Sequence, residues 1–167
     1  DRHSLDYAAY AVEDEEYFVD ALIPPSRDEY FVDAGAYTGD TLAKLLDRTG
    51  GGLGHAYLFE LNPGNFAKLE AYTASLPTPL RERITAFNVG LWNERSEVSY
   101  AGVGDGFTIT REKLATAKTA RVDALDHLLG DKKVTFIKMD IEGAEQPALA
   151  GSRGLIRTQR PRLAICT

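Results

Sequence analysis

Charged side chains cluster in one short segment near the end of the sequence. The segment KMDIEGAE places Lys138, Asp140, Glu142 and Glu145 within eight residues, directly after an apolar run. Burying so much charge is costly unless the groups are paired or face a cleft. Strand alternation puts Lys138 and Asp140 on one face, with Asp140 at the strand tip. Asp140 and Glu142 are therefore candidates for general-base chemistry on a bound ligand, whereas Glu145 suits a helix start.

Three earlier apolar runs also end in polar side chains, namely Asp33, Glu60 and Asn88. A carboxylate at a strand tip can bind an ammonium or hydroxyl group, which suits Asp33. An acid in the position of Glu60 can accept hydrogen bonds from both hydroxyls of a ribose, and Asn88 could bond an adenine edge or a ribose hydroxyl. Each of the three could instead be an ordinary turn or capping residue. Together they predict a nucleoside ligand.

The turn AGAYTGDT after the first of these runs narrows the choice of ligand. Gly35 permits backbone torsions closed to other residues and a close approach by a ligand. Gly39 lies at a predicted helix start, where free N–H groups favour an anion and where Asp40 or Thr41 could act as the cap. The spacing is G-x-x-x-G, and the dinucleotide fingerprint G-x-G-x-x-G is missing. S-adenosylmethionine, which has a ribose and a carboxylate but no phosphate, therefore fits better than NAD.

Strands that alternate with helices must position these side chains. Near-continuous apolar strands indicate a parallel sheet buried on both faces, and ligands of such α/β sheets lie where the strand order reverses. The predicted strands are residues 30–34, 55–61, 83–89, 97–101, 107–110, 118–122, 134–141 and 162–166. The predicted helices are residues 6–22 in part, 38–48, 64–75, 122–129, 143–150 and 152–158, with Asp123 as the cap of the fourth.

Composition limits the class of protein. The 167 residues fit one domain, and the net charge of −6 argues against broad contact with nucleic acid while allowing a small cationic ligand. The only cysteine is Cys166, so an intrachain disulfide is excluded and a cytoplasmic location is expected. No apolar run is long enough to span a membrane. Because His3, His55 and His127 are scattered, no metal motif is predicted, although an acidic pair could hold Mg²⁺.

Six segments together resemble the FkbM family of methyltransferases. They are EEYF near Glu15, FVDAGAYTGDTL, YLFELNPGNFAKLE, FNVGLWN, RVDALD, and IKMDIEGAEQPALAG followed by PRLAI, and they cover residues 15–165 in the family's order. The most specific of them is KMDIEGAE with the downstream PRLAI. The resemblance implies a class I enzyme that depends on S-adenosylmethionine. Most members of the family methylate hydroxyl groups of sugars or natural products.

The resemblance also implies a fold and a role for each site residue. The fold is the Rossmann-like three-layer sandwich of class I methyltransferases, with a helical lead-in over residues 1–29 and the cofactor-binding domain over residues 30–167. Glu60 would bind the ribose, and Asp140 would lie beside the methyl-bearing sulfonium. The implied positions at the methionine end are Asp33, Gly35, Ala36, Tyr37, Gly39 and Thr41. Those implied near the adenosine are Asn62, Phe66, Asn88 and Val89, of which Phe66 could equally belong to the core.

Several alternatives stay open at this point. An NAD-dependent oxidoreductase or epimerase could share such a sheet, but the glycine spacing and the lack of a Tyr-x-x-x-Lys pair disfavour it. A non-catalytic binding domain could also retain the sheet. The family continues past PRLAI with an antiparallel hairpin, which we expect to be missing here. The last strand would then be an exposed edge for pairing with a second copy. The insert over residues 92–118 is expected to help form the wall for a hydroxyl-bearing acceptor.

Overall fold

The computed structural model describes residues 17–18, 24–101, 108–110 and 118–166. The strands are β1 (Tyr30–Ala34), β2 (His55–Phe59), β3 (Ile84–Phe87), β4 (Gly90–Leu91), β5 (Ser96–Ala101), β6 (Thr108–Thr110), β7 (Lys118–Asp123), β8 (Phe136–Met139) and β9 (Arg162–Ile165). The helices are α1 (Asp40–Arg48), α2 (Pro63–Ser75), α3 (Thr78–Arg81), α4 (Leu125–Leu129), α5 (Glu145–Ala150) and α6 (Arg153–Gln159).

A five-stranded sheet in the order β3-β2-β1-β8-β9 forms the centre of the fold. All of its neighbouring pairs are parallel. The chain runs outward from β1 through β2 to β3 and then returns to the other side of β1, where β8 pairs with it. The strand order therefore reverses between β1 and β8, which is where such sheets bind their ligands. The predicted α/β class with a mostly parallel sheet is confirmed.

Helices cover both faces of this sheet. On one face, Phe31 and Phe136 pack with side chains of α1 and α2. On the other face, Val32 and Ile137 pack with side chains of α4, α5 and α6. Alternate residues of each strand therefore enter different cores, each buried side chain of this size contributing roughly 1.5–3 kcal/mol. The polar residues that continue the first series, Asp33 after Phe31 and Lys138 after Phe136, consequently lie on the α1 side.

A second, smaller sheet has the order β4-β7-β5-β6. Its β4 and β7 are parallel, whereas β5 runs antiparallel to both β7 and β6. Both β4 and α3 are additions to the predicted elements. Pro77 and Pro79 predict the end of the preceding helix, yet the short α3 begins between them, because proline is well tolerated in the first turn of a helix.

Two predicted helix caps are wrong. Helix α1 begins at Asp40 with Gly39 as its N-cap, and neither Asp40 nor Thr41 caps it. Helix α4 begins at Leu125 rather than at residue 122, and Asp123 is instead the last residue of β7. The Asp123 carboxylate is engaged there by side chains that local sequence does not reveal. It accepts a hydrogen bond from Arg95 Nε at 2.8 Å and lies 3.0 Å from His127 Nδ1.

Some expectations fall at the margins of the described chain. The helix expected over residues 6–22 lies outside the described residues, apart from Tyr17 and Phe18. β9 is the outer strand of the five-stranded sheet as far as the structure describes it. Within the same described ranges, none of the helices is both long and apolar enough to cross a membrane.

Candidate functional site

A cavity of about 400 Å³ opens at the carboxyl ends of β1, β2 and β8. Its volume is within the range of small-molecule sites, and it lies at the point where the strand order reverses. Predicted site residues that line it come from all three strand ends. They are Gly35, Tyr37, Thr41, Glu60, Asn62, Asp140 and Glu142.

The other predicted site residues support the cavity without lining it. The side chain of Asp33 is fully buried, and the amide of Asn88 donates hydrogen bonds to the backbone carbonyls of Glu60 and Leu61 at 2.8 and 3.2 Å. Asn88 therefore joins the end of β3 to the end of β2. The remaining members of this set pack into the two cores or against α2, and they are Ala36, Gly39, Phe66 and Val89.

The Gly35 turn brings the ends of three strands together. Its amide donates to the carbonyl oxygen of Phe59 at the end of β2, at 3.0 Å. On the other side, a Cβ added to Gly35 would lie 1.9 Å from the carbonyl oxygen of Asp140, just after β8. The φ of Gly35 is +79°, a conformation that side-chain-bearing residues rarely adopt. Glycine is thus required here by both torsion and space.

Glu60 links the two turns that flank the cavity. One carboxylate oxygen accepts the backbone N–H of Tyr37 at 2.9 Å, and the other accepts that of Asn62 at 2.7 Å. Burial raises the pKa of Glu60, while these two backbone hydrogen bonds oppose the rise. Each oxygen retains a further lone pair that a ligand hydroxyl could use. Tyr37, with φ at +48°, extends an exposed ring at the rim of the cavity.

Lys138 and Asp33 form a buried ion pair beneath the cavity. They are directly opposite each other in the register of β1 and β8. The Lys138 Nζ lies 3.2 Å from Asp33 Oδ1, and it donates a hydrogen bond to the Gly35 carbonyl at 2.8 Å. Among the described residues, no donor besides this ammonium reaches the Asp33 oxygens, so Lys138 alone compensates the buried carboxylate. Burial raises the pKa of Asp33 to about 6, although the charge of Lys138 partly offsets this rise.

Asp140 lies at the tip of β8, and its carboxylate is held by a side chain from outside the sheet. The hydroxyl of Tyr17 donates to Asp140 Oδ2 at 2.7 Å, and the Tyr17 ring centroid lies 5.0 Å from Lys138 Nζ. Glu142, the second candidate base, is exposed and adopts a φ of +56°. Glu145 accepts the backbone N–H of Ile141 at 2.9 Å, so it stabilises the turn into α5 as its position predicted.

The charges of the cavity are strongly unbalanced. Four carboxylates line it, from Asp40, Glu60, Asp140 and Glu142, against one lysine, Lys138, among the described residues. Part of the wall is apolar and is formed by Phe59, Leu61, Leu91, Val122 and Ile141. Within the described ranges, no three His, Cys, Asp or Glu side chains are grouped so that they could hold a metal ion.

Sequence reasoning missed part of this site. The apolar wall carries no local signal that separates it from the core, and Tyr17 lies in EEYF, which supports the family resemblance but indicates no role at the site. Lys138 was recognised as unusual, but its partner was not identified. In the insert expected to form the acceptor wall, the side chains of residues 92–100 and 118 are described and do not line the cavity. The wall is formed instead by Leu91 and Val122 at either side of the insert.

The parallel sheet, its reversal between β1 and β8, and the acidic cavity at that point define a Rossmann-like α/β domain with a small-molecule site. The chain belongs to the FkbM methyltransferase family, because the sequence pattern of the "Methyltransferase FkbM domain" matches residues 33–166. This finding confirms the resemblance seen in the sequence.

A solved structure supports the same assignment. The chain is similar to the crystal structure of Methyltransferase FkbM from Methylobacillus flagellatus KT, with a TM-score of 0.75 and 29% sequence identity. The similarity covers 91% of this chain and 36% of that one. The chain thus spans little more than a third of the length of that protein. Among curated protein sequences, no relative matches it.

Proposed function

We propose that the protein transfers a methyl group from S-adenosylmethionine to a hydroxyl group of a small molecule, such as a sugar or another natural product. The observation that carries the proposal is the excess of carboxylates around the cavity of a chain that belongs to a methyltransferase family. S-adenosylmethionine carries positive charge on its sulfonium and its ammonium, and carboxylates attract both groups. The same carboxylates would repel the pyrophosphate of NAD.

The lining residues suit the separate parts of this ligand. The free lone pairs of Glu60 can accept hydrogen bonds from ribose hydroxyls, and the apolar side chains of Leu61 and Leu91 can contact the adenine. The amino-acid end would lie over the Gly35–Thr41 turn, where the free N–H groups at the start of α1 favour its carboxylate. Asp140 would then face the positive sulfur.

Asp140 and Glu142 are the proposed bases. When bound, S-adenosylmethionine supplies a methyl group on a positively charged sulfur, which is open to displacement by an oxygen nucleophile. The contribution of the protein is to align the acceptor hydroxyl and to receive its proton. One carboxylate oxygen of Asp140 accepts the hydroxyl of Tyr17, which leaves the other oxygen to accept a proton. The exposed Glu142 lies at the cavity opening. One of these two carboxylates takes the proton as the new C–O bond forms.

Calorimetric titration tests the donor assignment. We expect S-adenosylmethionine and S-adenosylhomocysteine to bind, and NAD to give no measurable heat. Binding of NAD alone would make the protein a dinucleotide-binding domain, and binding of none of the three would make it a domain that retains the sheet without the cofactor.

A methyl-transfer screen tests the acceptor and the base. Hydroxylated sugars and polyketides are incubated with S-adenosylmethionine that carries a labelled methyl group, and methyl ethers are detected by mass spectrometry. With an acceptor identified, Asp140→Asn or Glu142→Gln should lower turnover by roughly 10²–10⁴-fold, the usual contribution of a general base. Asp47→Asn, an exposed aspartate of α1, is the control. Undiminished turnover in both Asp140→Asn and Glu142→Gln would contradict the assignment of the base.

A further inference from the structure

Tyr17 lies at the cavity although it precedes Asp140 by 123 residues. Its side chain is 8% exposed, and it makes two contacts with the charged groups of the site. The hydroxyl donates to Asp140 Oδ2 at 2.7 Å, and the face of the ring lies 5.0 Å from Lys138 Nζ. Both interactions are of the kind that charge strengthens.

The neighbouring residue fixes the position of Tyr17. Phe18 is 1% exposed and packs edge-on against Phe136 of β8, with the ring centroids 5.6 Å apart. It also contacts Phe31 of β1, and the guanidinium of Arg48 lies 5.8 Å from its ring centroid. Because Phe18 is buried against the face of β1 and β8, Tyr17 cannot move far from the tips of these strands.

The other groups around Lys138 account for its charge without a ligand. Its ammonium donates to the Gly35 carbonyl, pairs with Asp33 and faces the ring of Tyr17. Lys138 is therefore occupied by the protein, and Asp140 is not its partner. The half-buried Asp140 carboxylate instead accepts the hydroxyl of Tyr17.

We propose that Tyr17 is a positioning residue that holds the Asp140 carboxylate in place against the positive sulfur of the methyl donor. The inference rests on the proposed function, because it assumes that S-adenosylmethionine occupies the cavity. A carboxylate that is free to rotate into solvent interacts less with a fixed positive charge than one held by a short hydrogen bond. Tyr17 would thereby act through Asp140, without contacting the donor itself.

The test compares two ligands that differ at the sulfur. S-adenosylmethionine has a positively charged sulfonium, whereas S-adenosylhomocysteine has the same skeleton with a neutral thioether. The measured quantity is the ratio of their dissociation constants, obtained by calorimetric titration. The Tyr17→Phe variant keeps the ring and removes only the hydroxyl. We expect it to shift this ratio against the charged ligand by about fivefold, the effect of losing one hydrogen bond.

A double-mutant cycle shows whether the effect passes through Asp140. Asp140→Asn should shift the ratio in the same direction, and adding Tyr17→Phe to it should change the ratio by less than about twofold. The matched control is Tyr30→Phe, which removes a hydroxyl at the opposite end of the sheet and should leave the ratio unchanged. Thermal unfolding of each variant establishes that it is folded.

The outcomes separate this inference from the proposed function. If the wild-type chain binds neither ligand, the proposed function fails and this inference fails with it. If the wild type binds but Tyr17→Phe leaves the ratio unchanged, or shifts it equally in the Asp140→Asn background, only the positioning role is overturned. A loss of affinity for both ligands by the same factor would assign Tyr17 a packing role, and it would equally overturn the inference.

Discussion

Two buried carboxylates lie four residues apart at opposite ends of strand β1, and their surroundings differ. Glu29, at the amino end, is 1% exposed and accepts hydrogen bonds from the amide of Ser26, the hydroxyl of Thr135 and the guanidinium of Arg162. Asp33, at the carboxyl end, is 0% exposed, and no donor besides Lys138 reaches its oxygens among the described residues. The ion pair with Lys138 offsets the cost of burying the Asp33 charge.

The difference separates a structural end of the sheet from the end that forms the cavity, which is the ligand-binding end in the proposed function. Buried polar groups in proteins are almost always hydrogen-bonded, and an exception needs an explanation. Asp33 lies beneath a cavity whose carboxylates are ready for a cationic ligand, and perturbed carboxyl groups concentrate at such sites. Glu29 has the same chemistry and burial, but it joins β1, β8 and β9 and does not line that cavity. The two carboxylates therefore differ in the number of groups that compensate them, and the one with fewer partners lies beneath the cavity.

The largest expected effect comes from Gly35, which is specific to the ligand-binding end. In Gly35→Ala the new Cβ would lie 1.9 Å from the Asp140 carbonyl oxygen and would sit at a φ of +79°. Torsional strain and steric overlap together should lower the free energy of unfolding by about 4 kcal/mol. Chemical denaturation measures this loss, and calorimetry should show that donor binding is abolished.

The matched control for this variant is Gly51→Ala. Gly51 has a similar φ of +76°, but nothing lies within 4 Å of the position that its Cβ would take. This variant should therefore lose only the torsional contribution, about 1 kcal/mol, and should bind the donor normally. Equal losses in the two variants would show that the close approach to β8 carries no cost, and that the turn is not sterically defined.

A smaller effect is expected at the structural end. In Glu29→Gln the guanidinium of Arg162 loses its buried counter-charge, which should lower the free energy of unfolding by about 2 kcal/mol, since the Arg162 side chain is partly exposed. The affinity for S-adenosylhomocysteine should stay within twofold of wild type. Glu70→Gln, an exposed residue of α2, is the control and should change neither quantity. A parallel loss of stability and affinity in Glu29→Gln would show that the two ends of β1 are coupled.

The sequence predicts the positions of these groups better than their partners. Apolar runs that end in acids identified the strands and placed Glu60 and Asp140 at the same edge of the sheet, because the carboxyl ends of parallel strands meet there. The contact between Asp33 and Lys138 depends on the register of β1 against β8, two strands separated by about a hundred residues. The local sequence pattern of either strand does not determine that register. The presence of two opposite charges in buried strands nevertheless indicates that Asp33 and Lys138 could pair.

Tyr17 is a second residue whose partner could not be predicted from the local sequence. Its ring and its neighbour Phe18 carry an apolar pattern that any amphipathic helix could have, so nothing local indicates that the hydroxyl meets Asp140. The strand-tip position of Asp33 predicts an ammonium or hydroxyl partner, and the partner in the structure is the ammonium of Lys138, which tertiary packing brings to it. Of the four polar residues predicted at strand tips, Glu60 and Asp140 line the cavity, whereas Asp33 and Asn88 are engaged by the protein beneath and beside it.

The smallest effect is a pH dependence that distinguishes Asp33 from an ordinary carboxylate. Burial raises the pKa of Asp33 from 3.8 to about 6 in the folded protein. Between these values the folded state binds the proton more tightly than the unfolded state does, so the contribution of this group to the free energy of unfolding rises as the pH falls through 6. From pH 7 to pH 5 the gain should be about 1 kcal/mol.

This gain should appear as a growing difference in the free energy of unfolding between the wild type and Asp33→Asn. In Lys138→Met the gain should begin at a higher pH, because the positive charge that favours the ionised carboxylate is gone. A stability difference that stays constant or shrinks between pH 7 and pH 5 would mean that Asp33 is compensated as completely as Glu29, and the contrast between the two ends of the strand would not hold.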